Sequence, residues 1–525
     1  MRLLTAAAAL AAQHPALVVC IVFVLYAAGL AVYRLFFHPL ARFPGPKLAA
    51  ATLWYEFFFD GVQCGQYTFE IGRMHEKYGP IVRISPNELH VNDPKFIDQL
   101  YVAGGKKRDK YEYFTTQFGI PQSVFSTVPH DLHRLRRGAM NRFFSKASVV
   151  KLEPLIKDTI NKLCTQLETH YAGTGQPATL NMAYSCMTTD VVTEYAFARS
   201  YSFLDSPTFE PNFHRAIVAG SNMGPYTKRF PWLLAFMRCL PSALVSRLNP
   251  EMDVYLRFQE DVRKQIAEIQ ATRVEDRKSG RTGATIFHEL IDGDLPDEEK
   301  RLERMWQEGQ IIVGAGTETT AWSLSATMFY ILWTPHVRTK LQAELDAAIP
   351  DATELPSLQV LQALPYLSAV VTEGLRLSYG VSTRLQRLAP EPLSFTTGSG
   401  PTGSDRRGGL TTHTIPANTP VGMSCPLVHL NPLLFPEPCE FRPERWLDAP
   451  PALAGCILSF SKGSRQCIGI NLAYAELYYG IAGLVRRLGP RLQLFETDLS
   501  DVELLYDRFV PTPKLDTKGI RVLVQ

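Results

Sequence analysis

The sequence predicts a mainly α-helical protein with a small β part, preceded by a single N-terminal transmembrane helix. Residues 15–33 include no charged side chain and are mostly apolar, and this run is close to the ~20 residues that cross the hydrocarbon of a bilayer. Beyond Asn141, apolar residues recur mainly at helical spacing. Two short alternating runs flank a Ser-Pro-Asn turn at 85–87, which predicts one β-hairpin.

Composition and charge exclude several classes of protein. Hydrophobic residues make up 46% and charged residues 20% of the chain, values that exclude a disordered, collagen-like or polytopic membrane protein. The net charge is only +3, so no overall field favours nucleic acid as a partner. The nine cysteines are scattered without a CxxC pair, which favours a reducing compartment over a disulfide framework or a zinc site.

Three regions follow one another along the chain: a membrane anchor at 1–36, a proline-rich hinge at 37–50 and one large domain at 51–525. Alanines before the apolar run also offer signal-peptide cleavage sites, but the apolar core follows them, which favours an uncleaved anchor. Basic residues are more numerous after the run than before it, so the positive-inside rule places the body in the cytosol. The length permits two domains, but no linker or repeat divides the chain.

Seven segments carry the helical period, and one later region carries turn residues instead. The predicted helices span 149–171, 182–197, 252–273, 301–333, 337–348, 366–378 and 468–488. Residues 394–419 mix Gly, Ser, Thr and Pro with short β-like pieces, and 398–409 within them predict an exposed loop.

The strongest chemical signal is a cysteine at the start of a predicted helix. Free backbone amides and the positive end of the helix dipole favour a thiolate at Cys467, and thiolates bind iron. Gly463 and Gly469 permit a tight turn and a close approach of the backbone to a flat cofactor. Phe460 is placed to pack over the sulfur, and Arg465 is placed to reach an anionic group. A buried thiol without special function is the ordinary alternative.

With these residues the chain resembles the cytochrome P-450 superfamily, whose haem-binding signature FxxGxRxCxG it matches at every specified position. The resemblance implies the cytochrome P-450 fold and a haem b, iron protoporphyrin IX, whose iron takes the Cys467 thiolate as axial ligand. It covers nearly the whole chain after the anchor. The hinge and the segments 66–70 and 88–93 are most similar to fungal trichodiene-oxygenase-like enzymes of secondary metabolism.

A second motif lies in the predicted helix 301–333. Gly316 and the threonines after it disfavour a regular helix, so a kink or widened turn with room for water and dioxygen is expected. A carboxylate beside a hydroxyl can relay protons, and Glu318 and Thr319 match the family's oxygen-activation motif of an acid followed by an alcohol. Taken alone, a threonine-rich turn is more often structural packing.

A third motif pairs Glu373 with Arg376, three residues apart on one helix face. Taken alone it predicts a surface ion pair of at most ~1 kcal/mol. The resemblance implies instead a buried triad completed by Arg445, which holds the cysteine loop in place. Trp446 stands where the family usually has Phe.

Further basic residues are candidates for the haem propionates. His133 and Arg137 are four apart and resemble the family's WxxxR motif, with His in place of Trp; a solvated basic helix face is the alternative. Arg384 matches another propionate-binding position, with Arg387 as a competitor.

Electrons must come from another protein, because the sequence offers neither a GxGxxG turn between strand and helix nor an iron–sulfur cysteine set. The resemblance implies NADPH-cytochrome P-450 reductase, and a single-pass protein of the endoplasmic reticulum membrane in contact with lipid. Basic side chains for docking that partner, with solubility as the ordinary alternative, are Arg134, Arg136, Arg142, Lys146 and Lys462.

The resemblance implies a monooxygenase that uses O2 to hydroxylate or epoxidise a small lipophilic terpenoid or polyketide intermediate. The pocket walls are expected at 111–128, before Ala315, at 381–385 and at 508–511. Two other classes remain open: a haem-thiolate isomerase or dehydratase, and a non-catalytic haem- or lipid-binding membrane protein. The acid–alcohol pair favours the monooxygenase, since neither alternative needs it.

Overall fold

Helices account for most of the computed structural model, which describes residues 14–210, 212–279, 285–397 and 411–525. An apolar helix at Pro15–Val32 continues as a π-helical turn at Tyr33–Phe37. Together they form a 23-residue segment that contains an 18-residue window of mean hydropathy 2.6, in which no residue is buried by the rest of the described chain. The predicted N-terminal apolar helix is therefore confirmed, and its length is that of one membrane span.

The hinge after this helix is attached to the body by hydrogen bonds. The Arg34 guanidinium donates to the Ala51 carbonyl oxygen at 2.8 Å, and the buried Arg83 guanidinium donates to the Arg34 carbonyl oxygen at 2.8 Å. The Arg83 amide also donates to the Pro44 carbonyl oxygen at 2.7 Å. The end of the apolar helix is therefore held against the first strand of the body.

The helices of the body follow in chain order. They are Lys47–Ala51, Trp54–Phe57, Tyr67–Tyr78, Ile97–Leu100, Glu112–Thr115, His130–Asn141, Lys146–Val150, Glu153–Tyr171, Leu180–Phe197, His214–Asn222, Gly224–Arg229, Trp232–Cys239, Ser242–Leu248, Pro250–Ser279, Ile286–Asp292, Leu302–Trp333, Pro335–Ala348, Leu358–Gln362, Pro365–Ser378, Cys425–His429, Pro451–Ala454 and Ile470–Leu488. All seven predicted helical segments are confirmed. The segment predicted at 149–171 is two helices, because Pro154 occupies the first turn of Glu153–Tyr171 and cannot donate to the preceding turn.

Within the described residues, the β part is small and divided among four sheets. Its strands are β1 Ile81–Arg83, β2 Leu89–Val91, β3 Ala178–Thr179, β4 Leu393–Thr397, β5 Thr411–Ile415, β6 Val421–Gly422, β7 Leu492–Leu494, β8 Tyr506–Arg508, β9 Val510–Thr512 and β10 Arg521–Val524. The sheets have the orders β1-β2-β6, β3-β10-β7, β4-β5 and β8-β9. The predicted hairpin is β1–β2, antiparallel with Ile81 opposite Val91. The loop predicted at 398–409 lies outside the described residues.

The helix Leu302–Trp333, here called the central helix, passes through the largest hydrophobic core. The helices Leu180–Phe197 and Ile470–Leu488 contribute to the same core. A Cβ at Gly316 would come within 2.9 Å of a Val192 methyl group, so this glycine permits close packing of two helices. The core thereby fixes which face of the central helix remains free for a cavity.

The expected widened turn in the central helix is wrong. The segment is α-helical throughout Leu302–Trp333, and the Thr319 hydroxyl donates to the Ala315 carbonyl oxygen at 2.8 Å, a bond that threonine can add to an intact helix. Space arises from small residues instead, since a Cβ at Gly314 would meet no atom within 4 Å.

Candidate active site

The cysteine motif and the acid–alcohol motif face one cavity of about 330 Å³. Cys467 lies on one wall, and Glu318 and Thr319 of the central helix line the same cavity. All four expected wall segments contribute residues, which are Gln117, Phe118, Ile120, Val124, Phe125, Ile311, Ile312, Val381, Leu385, Phe509 and Val510. The lining is mostly apolar and aromatic, which suits a lipophilic ligand.

A short loop holds Cys467 at the wall of the cavity. The Cys467 amide donates to the Phe460 carbonyl oxygen at 2.9 Å, which closes the loop, and the Arg137 guanidinium donates to the Gln466 carbonyl oxygen at 2.6 Å. Burial raises the pKa of the Cys467 thiol, while the Gly469 amide and Arg137 act in the opposite direction. A bound metal ion deprotonates a coordinating thiol.

The other signature residues divide into cavity-lining and structural positions. Phe460 lines the cavity and packs on Tyr474 with 5.3 Å between ring centroids, and Gly469 also lines it. Gly463 has φ +74°, and a Cβ there would come within 2.3 Å of the Val102 carbonyl oxygen. Gly463 is therefore required by the predicted turn and also by packing against another loop.

A buried cluster of basic groups surrounds His133 at the edge of the cavity. Burial, followed by the charges of Arg465, Lys110, Arg137 and Arg387, lowers the pKa of His133 to about 2. Burial and neighbouring arginines also lower the pKa of Arg465 to about 9 and hold that of Lys110 well below its usual range. None of the four cations forms an ion pair within the described part of the chain, and the Arg465 Nε has no hydrogen-bond partner there.

This cluster fits an anionic cofactor. Like charges buried together are costly unless an opposite charge neutralises them. Two carboxylates, such as the propionates of the expected haem, would supply that charge beside a cavity that Cys467 also lines. The donor set around the cavity is therefore chemically suited to haem b.

Arg384, predicted for the propionates, lies elsewhere. Its guanidinium pairs with Glu56 at 2.7 Å and with Glu88 at 2.8 Å, all three side chains being buried. Arg387 is the residue of this segment that joins the basic cluster. The Arg384 assignment is thus not supported by the geometry, because two buried carboxylates already neutralise that side chain.

Glu318 is almost fully buried and has a partner that the sequence did not suggest. Its Oε2 lies 2.8 Å from Nδ1 of His214, whose side chain is 20% exposed. Burial by itself lowers the pKa of His214, but the charge of Glu318 and its hydrogen bond outweigh burial, so the pKa lies above its usual value. The pair connects the cavity to a partly exposed titratable group, which is the arrangement that proton delivery needs.

The predicted triad is buried and has additional donors. The Glu373 carboxylate accepts from Arg376 at 2.8 and 2.9 Å and from Arg445 at 3.0 Å. The Trp446 indole N–H adds a bond of 2.8 Å, so tryptophan in place of phenylalanine contributes a donor. His429 links the triad to the cysteine loop, since its ring contacts the Arg376 carbonyl oxygen at 2.8 Å and accepts from the Leu458 amide at 2.8 Å.

Sequence reasoning missed several residues at the site. Lys110 and His214 gave no signal, because each lies in a segment that meets the motifs only after folding. Glu476 lines the cavity, and burial raises its pKa well above the usual range despite a hydrogen bond with Thr320. The sequence contained one indication of Glu476, because an acidic residue stands there within an apolar helix face. The aromatic change at Trp446 was visible in the sequence, but its hydrogen bond was not.

One member of the predicted basic surface patch is misplaced. Arg136 is buried and forms a bidentate pair with Glu299 at 2.7 and 3.0 Å. Arg142 pairs with Glu289 at 2.6 Å, and Lys462 pairs with Asp98 at 2.8 Å. Of the five residues predicted for the patch, Arg134 and Lys146 are exposed and form no ion pair within the described residues.

Comparisons with known proteins agree with this geometry. The family model "Cytochrome P-450" matches residues 46–503. The chain is 43% identical over 511 residues to a cytochrome P-450 monooxygenase of Cochliobolus heterostrophus, covering 95% of each protein. It is 42% identical over 511 residues to a tryptophan 6-hydroxylase of Fusarium equiseti, covering 97% of this chain and 96% of the relative. It is 39% identical over 507 residues to an N-acetyltryptophan 6-hydroxylase of Emericella nidulans, covering 95% of each. The chain therefore belongs to the cytochrome P-450 family and is a monooxygenase of the fungal type.

Proposed function

We propose that the chain binds haem b through the Cys467 thiolate and hydroxylates or epoxidises a small lipophilic intermediate of fungal secondary metabolism. The observation that carries this proposal is the shared cavity. Cys467 lines it together with Glu318 and Thr319, and the buried basic cluster lies at its edge. A cation cluster for the propionates and a thiol for the iron are thus available at one site.

The basic cluster and the buried triad each have a defined role in this proposal. When bound, the haem supplies O2 binding and activation at its iron, which the thiolate ligand favours. Arg137, Arg387, Arg465 and Lys110 neutralise the propionates. The buried triad of Glu373, Arg376 and Arg445 holds the loop that carries the cysteine, as a positioning element.

The acid–alcohol pair controls protons. His214 Nδ1 lies 2.8 Å from Glu318 Oε2, so a proton can pass from the partly exposed imidazole to the carboxylate. Thr319 is the neighbouring cavity-lining hydroxyl, held by the Ala315 carbonyl oxygen at 2.8 Å. We infer that Glu318 supplies protons to the cavity and that Thr319 orients the group that receives them.

The substrate class follows from the lining and from the relatives. Aromatic side chains of Phe118, Phe125 and Phe509 pack against one another at 4.9–6.0 Å between ring centroids, which makes an apolar wall. A terpenoid or polyketide intermediate suits such a wall. Two relatives are named as hydroxylases of tryptophan and N-acetyltryptophan, so aromatic amino-acid derivatives are a further class to test.

The organisation of the chain fits delivery of such substrates from a membrane. We propose an anchor at 1–36, a hinge at 37–50 and a catalytic domain at 51–525 on the cytosolic side of the endoplasmic reticulum. NADPH-cytochrome P-450 reductase would supply electrons, with Arg134 and Lys146 in its docking surface. Protection of the catalytic domain from protease added outside sealed membrane vesicles would contradict this topology.

The absorption spectrum of the purified protein after dithionite and carbon monoxide tests the cofactor. Thiolate ligation would shift the Soret band of the CO complex strongly to the red of a histidine-ligated haem, and Cys467→Ala should abolish that band. A histidine-like band, or an unchanged band in the variant, would contradict the proposal. Consumption of NADPH coupled to product, with reductase present, separates a monooxygenase from an isomerase or a binding protein.

A further inference from the structure

A chain of hydrogen bonds runs from the protein surface to the cavity, away from the cysteine and the acid–alcohol pair. The exposed Arg238 guanidinium donates to Oε1 of Gln259 at 3.0 Å. Nε2 of Gln259 donates to Oε1 of Gln310 at 2.9 Å. Nε2 of Gln310 donates to the Tyr255 hydroxyl oxygen at 2.6 Å. Both glutamines are 6% exposed, so this chain is a buried polar structure inside an apolar region.

The direction of every bond in this chain is determined by its first member. A guanidinium has only donors, so the Gln259 oxygen must accept and its amide group must donate onward. The same reasoning orients Gln310, which leaves the Tyr255 oxygen as the last acceptor. Successive hydrogen bonds also polarise one another. The Tyr255 O–H proton is thus the free donor at the end of an oriented chain.

Tyr255 presents this donor beside the cavity. The residue is half-buried and belongs to the cavity lining. Its ring lies so close to Gly220 that a Cβ there would come within 2.9 Å of Cε2, which restricts the ring. Among residues 14–210, 212–279, 285–397 and 411–525, no oxygen accepts a hydrogen bond from the Tyr255 hydroxyl.

We propose that the Tyr255 hydroxyl donates a hydrogen bond to an oxygen atom of the substrate. The substrate is then a lipophilic molecule that already carries a carbonyl or carboxylate oxygen, and not a pure hydrocarbon. This inference rests on the proposed monooxygenase function. Gln310 precedes Thr319 by nine residues, or ~13 Å along the helix axis at 1.5 Å per residue. The oxygen therefore lies at the end of the substrate remote from the position that is oxidised.

The class of reaction that precedes this enzyme follows from the same contact. A cyclised terpene hydrocarbon has no oxygen to accept from Tyr255, so an oxygen-introducing step must come first. A polyketide or an amino-acid derivative carries carbonyl oxygens from its synthesis. The protein accordingly acts after the reaction that forms an oxygenated carbon skeleton.

The test compares matched ketones and hydrocarbons on the full-length holoenzyme. The probes are 2-decalone and nootkatone, against decalin and valencene, and Kd is measured from the change in the haem absorption spectrum. Tyr255→Phe removes only the hydroxyl. Gln310→Glu keeps Tyr255 but replaces the donor of its hydrogen bond by a carboxylate that accepts the Tyr255 proton instead. Tyr226→Phe is the control, since that hydroxyl donates to the Gly61 carbonyl oxygen at 2.9 Å and does not line the cavity.

We expect both Tyr255→Phe and Gln310→Glu to weaken ketone binding about five-fold, the effect of losing one net hydrogen bond. Hydrocarbon binding and the control variant should remain unchanged, so that the difference between ketone and hydrocarbon within each variant isolates the contact with the substrate oxygen. The inference would be overturned if a variant changed the Kd of ketone and hydrocarbon equally, or if the preference for ketone over hydrocarbon stayed the same in every probe pair. A normal ferrous–CO band in the same samples shows that the proposed cofactor is intact, so failure of this contact is distinguishable from failure of the proposed function.

Discussion

The hydrogen bond from Trp446 to the buried triad can be tested without removing any charge. The Glu373 side chain is fully buried and accepts from Arg376, Arg445, the Arg442 amide and the Trp446 indole. Trp446→Phe removes the 2.8 Å indole bond and restores the residue usual in the family. The phenyl ring can retain contact with Phe435, whose ring centroid is 5.9 Å from that of Trp446.

The expected loss of stability follows from the charge on the acceptor. A hydrogen bond to a charged group contributes ~1.5–3 kcal/mol, and the other donors to Glu373 place the result near the lower half of that range. Unfolding entropy is ~2.1 cal/mol/K per residue, which for the body at 51–525 amounts to ~1 kcal/mol/K. A loss of ~2 kcal/mol therefore lowers Tm by ~2 °C.

The assay is thermal unfolding of the holoenzyme, followed by circular dichroism and by loss of the Soret band. Trp333→Phe is the matched control, because Trp333 is 46% exposed and makes no hydrogen bond in the described structure. Trp446→Phe should lower both transition temperatures, while the ferrous–CO maximum should stay in place. A Tm equal to that of the control, or higher than wild type, would refute the energetic role of the indole bond.

Three further predictions concern protons and cofactor binding. Thr319→Ala should retain haem but consume NADPH without equivalent product, and coupling equal to wild type would remove Thr319 from proton control. The raised pKa of His214 means that its charge pair with Glu318 is complete below pH ~6.5 and is lost as pH rises through the folded-state pKa. Coupling of NADPH consumption to product formation should therefore fall as pH rises through that pKa. His214→Gln should abolish this fall. An identical alkaline limb in both proteins would exclude His214. Arg387→Gln should relieve repulsion among the buried cations and raise the Tm of the haem-free protein, yet speed haem transfer to apomyoglobin. Arg134→Gln, at an exposed position, is the control and should change neither the Tm nor the transfer rate. Slower haem transfer from Arg387→Gln would contradict the propionate assignment.

Local signals in the chain predicted elements and pairings that depend on neighbours in sequence. The period of apolar residues predicted the helices because a 3.6-residue repeat places them on one face. The spacing of Glu373 and Arg376 predicted their pair, since residues three apart on a helix are adjacent. The widened turn expected in the central helix was wrong, because the helix stays α-helical throughout and Thr319 bonds back to Ala315.

Long-range electrostatics were predicted less well. Arg384 and Arg387 lie in the same short segment, and their identical side chains gave no means of choosing between them. The choice depends on Glu56 and Glu88, which are far away in sequence and bury their carboxylates against Arg384. Arg136 was expected at the surface, but Glu299 draws it into a buried pair.

The sequence by itself determined the family, the apolar N-terminal helix and the helical class, and it singled out Cys467, because each depends on residue types at short spacing. Only the tertiary structure decided which groups share the cavity. Lys110 and Tyr255 are brought to it from separate segments, Arg387 joins the basic cluster at its edge, and His214 pairs with the cavity-lining Glu318. Their charges and donors act only through partners that folding supplies. The physical reason is that burial makes an unpaired charge or proton donor costly, and burial is a property of the whole fold.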